Sequence, residues 1–271
     1  MLPKMKIGDL EVSRLIVGSN PFTGKSHLDA ATDADMKEHF SEERVFRFLS
    51  KCEEVGINAV QSRGSMPVME TIYNYRKESP SMLWLAQTGK NLTTFDEELD
   101  IMMKYSPSAI CIHGELSDDL YLTGRLELLS TLLEKMRRKG LPVGICSHFP
   151  EVLVYAEENG LAPDYYMASV YNLFYPDRSN DLVKTGERFE FSDVPKMFEV
   201  IRHLSAPTVA LKILGAGRRC STQEEVKEAF FDAFKSMKKG DGVLVGMFDK
   251  YIDQISLNAE YTRQAIFNAE S

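Results

Sequence analysis

The chain has 271 residues, 44% of them hydrophobic and 27% charged, which is enough to bury a full core. The formal net charge of −8 argues against the basic face that nucleic-acid binding requires. No stretch approaches the roughly 20 apolar residues of a membrane span, and the first residues form no apolar leader. Four widely spaced cysteines without a CxxC pair predict reduced thiols. We therefore expect a soluble cytoplasmic protein that acts on a small molecule, with no membrane or nucleic-acid partner.

The N-terminal segment predicts a small hairpin that leads into a buried strand. Hydrophobic and polar residues alternate around Gly8, and the apolar run Leu15–Val17 then ends in polar residues. The stretch Asn20–Phe40 is polar and rich in Asp and Ala, so we expect a long loop there. Ser41 and the two glutamates after it are typical of a helix start.

The central residues 109–149 show the repeating unit of the chain. Two apolar runs, Ser108–Ile112 and Pro142–Cys146, each end in a polar cluster that contains a histidine. Between them, leucines at helical spacing and a basic stretch closed by Gly140 predict one helix. The pattern is strand, helix, strand.

The same pattern predicts eight strands, each followed by a helix. The strands lie near residues 15, 58, 84, 110, 144, 167, 210 and 244. Because no linker or low-complexity run divides the chain, we expect an α/β protein, a single (β/α)8 TIM barrel over residues 1–271 with an N-terminal β-hairpin. The segment Phe174–Asp193 is longer than an ordinary βα loop, and we expect a lid there.

Polar residues at the carboxyl ends of the predicted strands define the candidate site, because active sites of this fold lie at that end of the barrel. They are Asn20, Gln61, Arg63, Gln87, His113, Glu115, Ser147, His148, Asn172, Lys212 and Asp249. The candidate catalytic residues among them are His113, Lys212, Gln61, Gln87 and His148.

Each candidate also has a structural interpretation. His113 could be satisfied by a neighbouring backbone group, and His148 could cap the helix that follows it. Lys212 could be the ion-pair partner of a carboxylate in the same ring, Asp249 or Glu115. The two glutamine amides could close backbone hydrogen bonds.

Several motifs resemble the aldo-keto reductase superfamily. The hairpin followed by LEVSRLIVGSNPF resembles the start of its barrel, and VGICSHF at 143–149 and VYNL at 170–173 resemble its G-V-S-N-F and Y-N-L motifs. The segment ALKILGAG at 210–217 stands where the family has A-Y-S-P-L-G-x-G, and VGMFDKYIDQISLNAE at 245–260 resembles its phosphate-binding end. The short matches extend over nearly the whole chain and imply a common fold.

The resemblance implies carbonyl reduction with NADPH by an Asp, Tyr, Lys and His tetrad, of which only the histidine is kept, as His113. Gln61 stands at the aspartate position, Gln87 stands at the lysine position, and no tyrosine stands near Ser65. The cofactor-binding positions that the resemblance implies are Ser147, Asn172, Gly215, Gly217, Arg218, Gly246 and Lys250. Three positions that hold the nicotinamide in the family are replaced, by His148, Ala168 and Leu211.

Three functions remain open, in this order. The first is a divergent oxidoreductase that uses NADP or NAD on a small carbonyl or hydroxy compound, with His113 polarising the substrate oxygen. The second is a cofactor-free or metal-assisted lyase, isomerase or hydrolase, in which Lys212 is a nucleophile or a cation. In that hypothesis His113, Glu115 and His148 act as acid–base groups or bind a divalent metal. The third is a non-catalytic barrel that binds or regulates.

Overall fold

A computed structural model describes residues 2–173 and 189–271. The chain starts with two antiparallel strands, Lys4–Ile7 (β1) and Leu10–Ser13 (β2). Eight parallel strands follow and close into a barrel, so the predicted TIM barrel and its N-terminal hairpin are confirmed.

The barrel strands lie at the predicted positions. They are Leu15–Gly18 (β3), Ala59–Arg63 (β4), Leu83–Gln87 (β5), Ala109–Ile112 (β6), Val143–Ser147 (β7), Tyr165–Ser169 (β8), Thr208–Leu211 (β9) and Gly242–Gly246 (β10). They pair in sequence order around the barrel, and β10 closes it against β3.

Helices connect the strands on the outside of the barrel. They are Ala30–His39 (α1), Glu42–Glu54 (α2), Val68–Glu78 (α3), Phe95–Met103 (α4), Gly114–Leu122 (α5), Leu128–Arg137 (α6), Pro150–Glu158 (α7), Asp193–His203 (α8), Gln223–Ser236 (α9) and Gln254–Glu270 (α10). Within the described ranges, none of these helices has the length and apolar character needed to cross a membrane.

The stretch Asn20–Phe40 is not the long loop that its composition suggests. It contains a 3-10 turn and α1, which begins where the Asp29 side chain accepts a hydrogen bond from the backbone N–H of Thr32 at 2.8 Å. None of the residues in α1 is buried. A helix without an apolar face has no hydrophobic periodicity, and the sequence pattern therefore missed it.

The single helix predicted between β6 and β7 is two helices, α5 and α6. They are separated by a turn in which Gly124 adopts a left-handed φ of 67°. Leu129 and Leu133 of α6 are fully buried, whereas Leu122 at the end of α5 is 48% exposed. The regular leucine spacing thus runs across a break in the backbone.

The side chains of the strands form two layers, which positions the candidate site. In β6, Ala109 and Cys111 belong to a cluster inside the barrel, while Ile110 and Ile112 pack outward against the helices. The hairpin adds Met5, Ile7 and Val12 to the inner cluster, where Met5 lies against the start of β10 and closes the amino end of the barrel. Because side chains alternate along a strand, inward-facing residues at the carboxyl ends meet at the open mouth.

Gly144 makes room inside the barrel for the fully buried ring of Tyr165, since a Cβ at position 144 would lie 2.7 Å from carbons of that ring. Gly144→Ala is therefore expected to lower the free energy of unfolding by about 1–3 kcal/mol, measured by urea denaturation. Tyr165→Leu removes the ring, so the double variant should lose less stability than the sum of the two single variants. Additive losses would contradict the clash.

Candidate active site

The site is built around a buried carboxylate, that of Asp118 on α5. Its Oδ1 accepts hydrogen bonds from Ser147 Oγ at 2.6 Å and from the backbone N–H of His148 at 3.1 Å. Its Oδ2 lies 2.7 Å from His148 Nδ1. Because an ionised carboxylate can only accept, Nδ1 of a neutral His148 ring carries the proton and Nε2 keeps a lone pair.

Lys212 extends this arrangement across the mouth. Its Nζ lies 3.4 Å from His148 Nε2, which gives a connected series that we call the Asp118–His148–Lys212 relay. Asp118 is 3% and His148 8% exposed, so electrostatic interactions between them are stronger than in water. Lys212 has a left-handed φ of 63°, a conformation that costs a non-glycine residue about 1–3 kcal/mol and is often found at functional sites.

The structure does not support the structural interpretations given above for His148, as a helix cap, and for Lys212, as the partner of Asp249 or Glu115. Helix α7 begins at Pro150 and its N-cap is Phe149, so His148 is not a helix cap. The two carboxylates suggested as partners of Lys212 are paired elsewhere. Glu115 lies 2.9 Å from the Nζ of Lys90, and Asp249 lies 3.1 Å from the Nε2 of His39.

His113 is the N-cap residue of α5, next to the relay. Its Nδ1 accepts a hydrogen bond from the backbone N–H of Glu115 at 3.1 Å, so a neighbouring backbone group does satisfy this nitrogen of His113. Burial lowers the pKa of His113 to about 4; the Glu115 carboxylate opposes this shift, and Arg63 and His148 add to it. The ring is therefore neutral near pH 7. With Nδ1 as an acceptor, its proton is on Nε2, which can donate to a substrate oxygen.

The two candidate glutamines, Gln61 on β4 and Gln87 on β5, lie on the inward faces of their strands. Gln61 is 8% exposed, and Gln87 Nε2 contacts Met167 Sδ at 4.0 Å. In the part of the chain that the structure describes, neither side-chain amide bonds a backbone group. Both amides are thus available to orient a ligand in the mouth.

The metal hypothesis requires His113, Glu115 and His148 to converge. The Glu115 carboxylate instead forms an ion pair with Lys90 and is 40% exposed, and His148 Nδ1 is held by Asp118. Among residues 2–173 and 189–271, no group of three His, Cys, Asp or Glu side chains has a metal-binding arrangement.

Two residues that the resemblance assigns to a nicotinamide cofactor, Ser147 and Asn172, are buried inside the protein. Ser147 is fully buried, and its Oγ accepts the backbone N–H of Phe149 while it donates to Asp118. Asn172 is 2% exposed, and its backbone N–H donates to Asp193.

The residues expected to bind the cofactor phosphate are also engaged. The Arg218 guanidinium lies 3.8 Å from the centre of the Phe189 ring and donates to two backbone carbonyls, and Lys250 forms an ion pair with Asp35. The backbone N–H groups of Gly215 and Gly217 donate within their own turn, and Gly246 packs against the ring of Pro21. To bind a nicotinamide dinucleotide, these residues would have to exchange their present contacts for contacts with the cofactor.

The predicted lid, Phe174–Asp193, falls mostly on residues 174–188, which lie outside the described residues. It stays a prediction.

Asp118 is the residue of the candidate site that the sequence analysis missed. It stands beside Asp119 in the sequence, and only the fold distinguishes the two carboxylates. The Asp119 side chain is 55% exposed and pairs with Arg125 at 3.0 Å, whereas the Asp118 side chain is 4% exposed. A charged residue between the apolar neighbours Leu116 and Leu120 was the available signal.

Comparisons with known proteins show the fold and no family. No protein-family model matches the chain, and no match was found among curated proteins. The aldo-keto reductase AKR11C1 from Bacillus halodurans is similar in structure, with a TM-score of 0.60 and 12% identity over 98% of this chain and 95% of that one. A truncated 3-deoxy-D-arabino-heptulosonate 7-phosphate synthase from Thermotoga maritima has a TM-score of 0.59 and 13% identity over 99% and 92%.

The 3-hexulose-6-phosphate synthase from Salmonella typhimurium gives a TM-score of 0.57 and 12% identity over 94% of this chain and 99% of that one. The similar structures thus include aldo-keto reductases and also synthases with the same barrel. At this level of identity the likeness shows the barrel alone, and the activity has to be argued from the site.

Asp118→Asn is expected to lower the free energy of unfolding by about 2–4 kcal/mol, because an amide cannot replace a buried carboxylate that accepts three donors. The measurement is urea denaturation. Asp119→Asn is the matched control and should change stability by less than about 0.5 kcal/mol. Equal effects of the two variants would show that Asp118 does not organise the site.

The neutral state of His113 predicts a pH effect on stability. The unfolded chain binds a proton at this residue near pH 6.5, whereas the folded chain binds it only near pH 4. His113 therefore lowers stability as the pH falls through this range and has no such effect above it. An NMR titration should give a midpoint near pH 4, and His113→Gln should reduce the acid loss of stability. A midpoint near 6.5 in the folded protein would contradict the burial argument.

Proposed function

We propose that this protein is a lyase or isomerase that forms an imine between Lys212 and the carbonyl group of a small substrate. The observation that carries the proposal is the 3.4 Å contact between Lys212 Nζ and His148 Nε2, with Asp118 behind the imidazole. A lysine ammonium has no lone pair and must lose a proton before it can attack a carbonyl. The relay places a base at the nitrogen that has to be deprotonated.

The proposed reaction starts with proton transfer from the Lys212 ammonium to His148 Nε2. The free amine then attacks the carbonyl carbon, and the oxygen, which gains negative charge, accepts a hydrogen bond from the Nε2–H of His113. After proton transfer from nitrogen to oxygen gives the carbinolamine, His148 returns its proton to the hydroxyl group, and one water molecule leaves. The product is a protonated imine.

Asp118 stabilises the charge that His148 carries during these steps and holds its Nδ1 proton in place. The protonated imine then withdraws electrons from the adjacent carbon. A C–H bond to that carbon can break when the neutral His148 takes the proton, or a C–C bond can break when the leaving fragment gives up a hydroxyl proton to His148 and departs as a carbonyl compound. In both cases the electron pair moves toward the imine nitrogen and gives an enamine, which His148 then reprotonates. This is the step that a lyase and an isomerase of this type share. Hydrolysis of the imine finally releases the product and restores Lys212.

A nicotinamide-dependent oxidoreductase is the second candidate. The neutral donor His113 favours it, because a hydrogen bond to a substrate carbonyl also assists hydride transfer. Calorimetric titration with NADPH and NADH separates the two candidates, and the imine proposal predicts no binding at micromolar concentrations. Fluorescence of Trp84 would report cofactor binding poorly, since this residue is fully buried in the outer layer of the barrel with its indole N–H bonded to Ser62 Oγ.

The imine proposal is tested by borohydride reduction after incubation with dihydroxyacetone and pyruvate. Reduction should fix an adduct on Lys212, located by peptide mass spectrometry, and Lys212→Met and Lys212→Gly should abolish it. Lys90→Met, which removes the partly exposed lysine paired with Glu115, is the control and should keep the adduct.

Lys212→Gly also separates chemistry from folding. Glycine tolerates the left-handed φ of 63°, so this variant should stay within about 1 kcal/mol of the parent in stability while it loses the adduct. An adduct that persists in Lys212→Gly would contradict the proposal.

A further inference from the structure

A second cationic side chain at the mouth, Arg63, has a donor that no acceptor among the described residues occupies. Arg63 Nε is buried and has no hydrogen-bond partner within residues 2–173 and 189–271. The ion-pair partner of this residue is Glu98, but Glu98 Oε2 lies 3.7 Å from Arg63 Nη2, which is beyond hydrogen-bond length. The Arg63 side chain is 36% exposed, so part of it remains accessible from solvent.

Glu98 is held in place by other contacts. Its Oε1 accepts a hydrogen bond from Thr94 Oγ1 at 2.6 Å, and its carboxylate lies against Gly89, where a Cβ would come within 1.4 Å of Oε2. Glu98 thus offsets the charge of Arg63 without taking its hydrogen bonds. Nε and Nη2 form one edge of the guanidinium, and two parallel donors on such an edge match two oxygens of a carboxylate or phosphate.

The fold places Arg63 on the inward face of β4. Ala59 of the same strand belongs to the cluster inside the barrel, and residues two apart along a strand share a face, so Gln61 and Arg63 continue that face toward the mouth. Arg63 pairs in register with Gln87 on β5, and its charge contributes to the lowered pKa of His113, which directly follows the next strand, β6. Further around the barrel in the same strand order, His148 follows β7 and Lys212 follows β9.

We infer that Arg63 binds the anionic group of the substrate, a carboxylate or a phosphate, while the carbonyl of the same molecule reaches Lys212. This inference rests on the proposed imine chemistry. A buried N–H without an acceptor is unfavourable, and an anion supplies that acceptor when it binds. Lys90, another cation near the mouth, already forms an ion pair with Glu115 at 2.9 Å. The substrate class is therefore an anionic carbonyl compound with its charge directed toward β4.

The test compares matched probes in the borohydride assay. Dihydroxyacetone phosphate and dihydroxyacetone differ by the phosphate, and pyruvate and hydroxyacetone differ by the carboxylate. The quantity measured is the probe concentration that gives half of the maximal labelling of Lys212. Arg63→Gln should raise this concentration about 10-fold or more for the anionic probe that fits and leave both neutral probes within about 2-fold.

Two further variants sharpen the result. Arg63→Lys keeps the charge but not the paired donors, so its effect should be intermediate. Glu98→Gln removes the competing carboxylate and should lower the half-saturating concentration of the anionic probe. If Arg63 binds a phosphate, Arg63→Gln raises the half-saturating concentration of dihydroxyacetone phosphate alone. If Arg63 binds a carboxylate, it raises that of pyruvate. Unchanged labelling by neutral probes shows that Arg63→Gln is folded.

The two proposals fail in different ways. Labelling of Lys212 that is equal for anionic and neutral probes, and unaffected by Arg63→Gln, would overturn the role of Arg63 and leave the imine chemistry intact. Absence of labelling by every probe, with calorimetric binding of dihydroxyacetone phosphate or pyruvate that depends on Arg63, would overturn the imine chemistry and keep the anion site.

Discussion

The Asp118 carboxylate is the constraint on which the site depends. It accepts from a hydroxyl, a backbone N–H and an imidazole N–H, all from the end of β7. These bonds fasten α5 to the neighbouring strand and fix the ring of His148 at the same time. Loss of any one of the three donors would leave the buried charge less well compensated, so the arrangement has little freedom. The position of the His148 ring then determines that its Nε2 lies next to Lys212 Nζ at the mouth.

The two histidines of the mouth have opposite hydrogen-bonding roles. His148 uses Nδ1 as a donor and keeps Nε2 as an acceptor, whereas His113 uses Nδ1 as an acceptor and keeps Nε2 as a donor. Gly114, the first residue of α5, lets them come close, because a Cβ there would lie 3.2 Å from the His148 ring. One imidazole can therefore act as a base toward Lys212 while the other stabilises negative charge on oxygen. This division of roles suits addition of an amine to a carbonyl.

The sequence predicted the barrel because its strands are short apolar runs with polar ends, as in Val143–Ser147. It also placed His113, His148 and Lys212 at the mouth, since the carboxyl ends of parallel strands must gather there. It could not predict Asp118, whose contacts with His148 join residues 30 positions apart and depend on how α5 packs. The sequence pattern shows where a strand ends, but not which residue of a neighbouring helix packs against that end.

Other differences have similar causes. Helix α1 has no buried residue and so no periodic signal, and the break before α6 is hidden by leucines that continue across it. The sequence suggested a carboxylate as the structural partner of Lys212, but Asp249 and Glu115 are paired with His39 and Lys90. Which opposite charges pair is decided by side-chain positions that strand ends alone do not specify.

The proposed imine chemistry depends most directly on the protonation of His148, which nitrogen-15 NMR of labelled histidine measures at a pH where the ring is neutral. The relay predicts a proton on Nδ1 and an unprotonated Nε2 for His148, with the reverse tautomer for His113. Asp118→Asn should disturb the His148 signals, whereas Asp119→Asn should not. A proton on Nε2 of His148 would contradict the account, because that nitrogen could not then take a proton from Lys212.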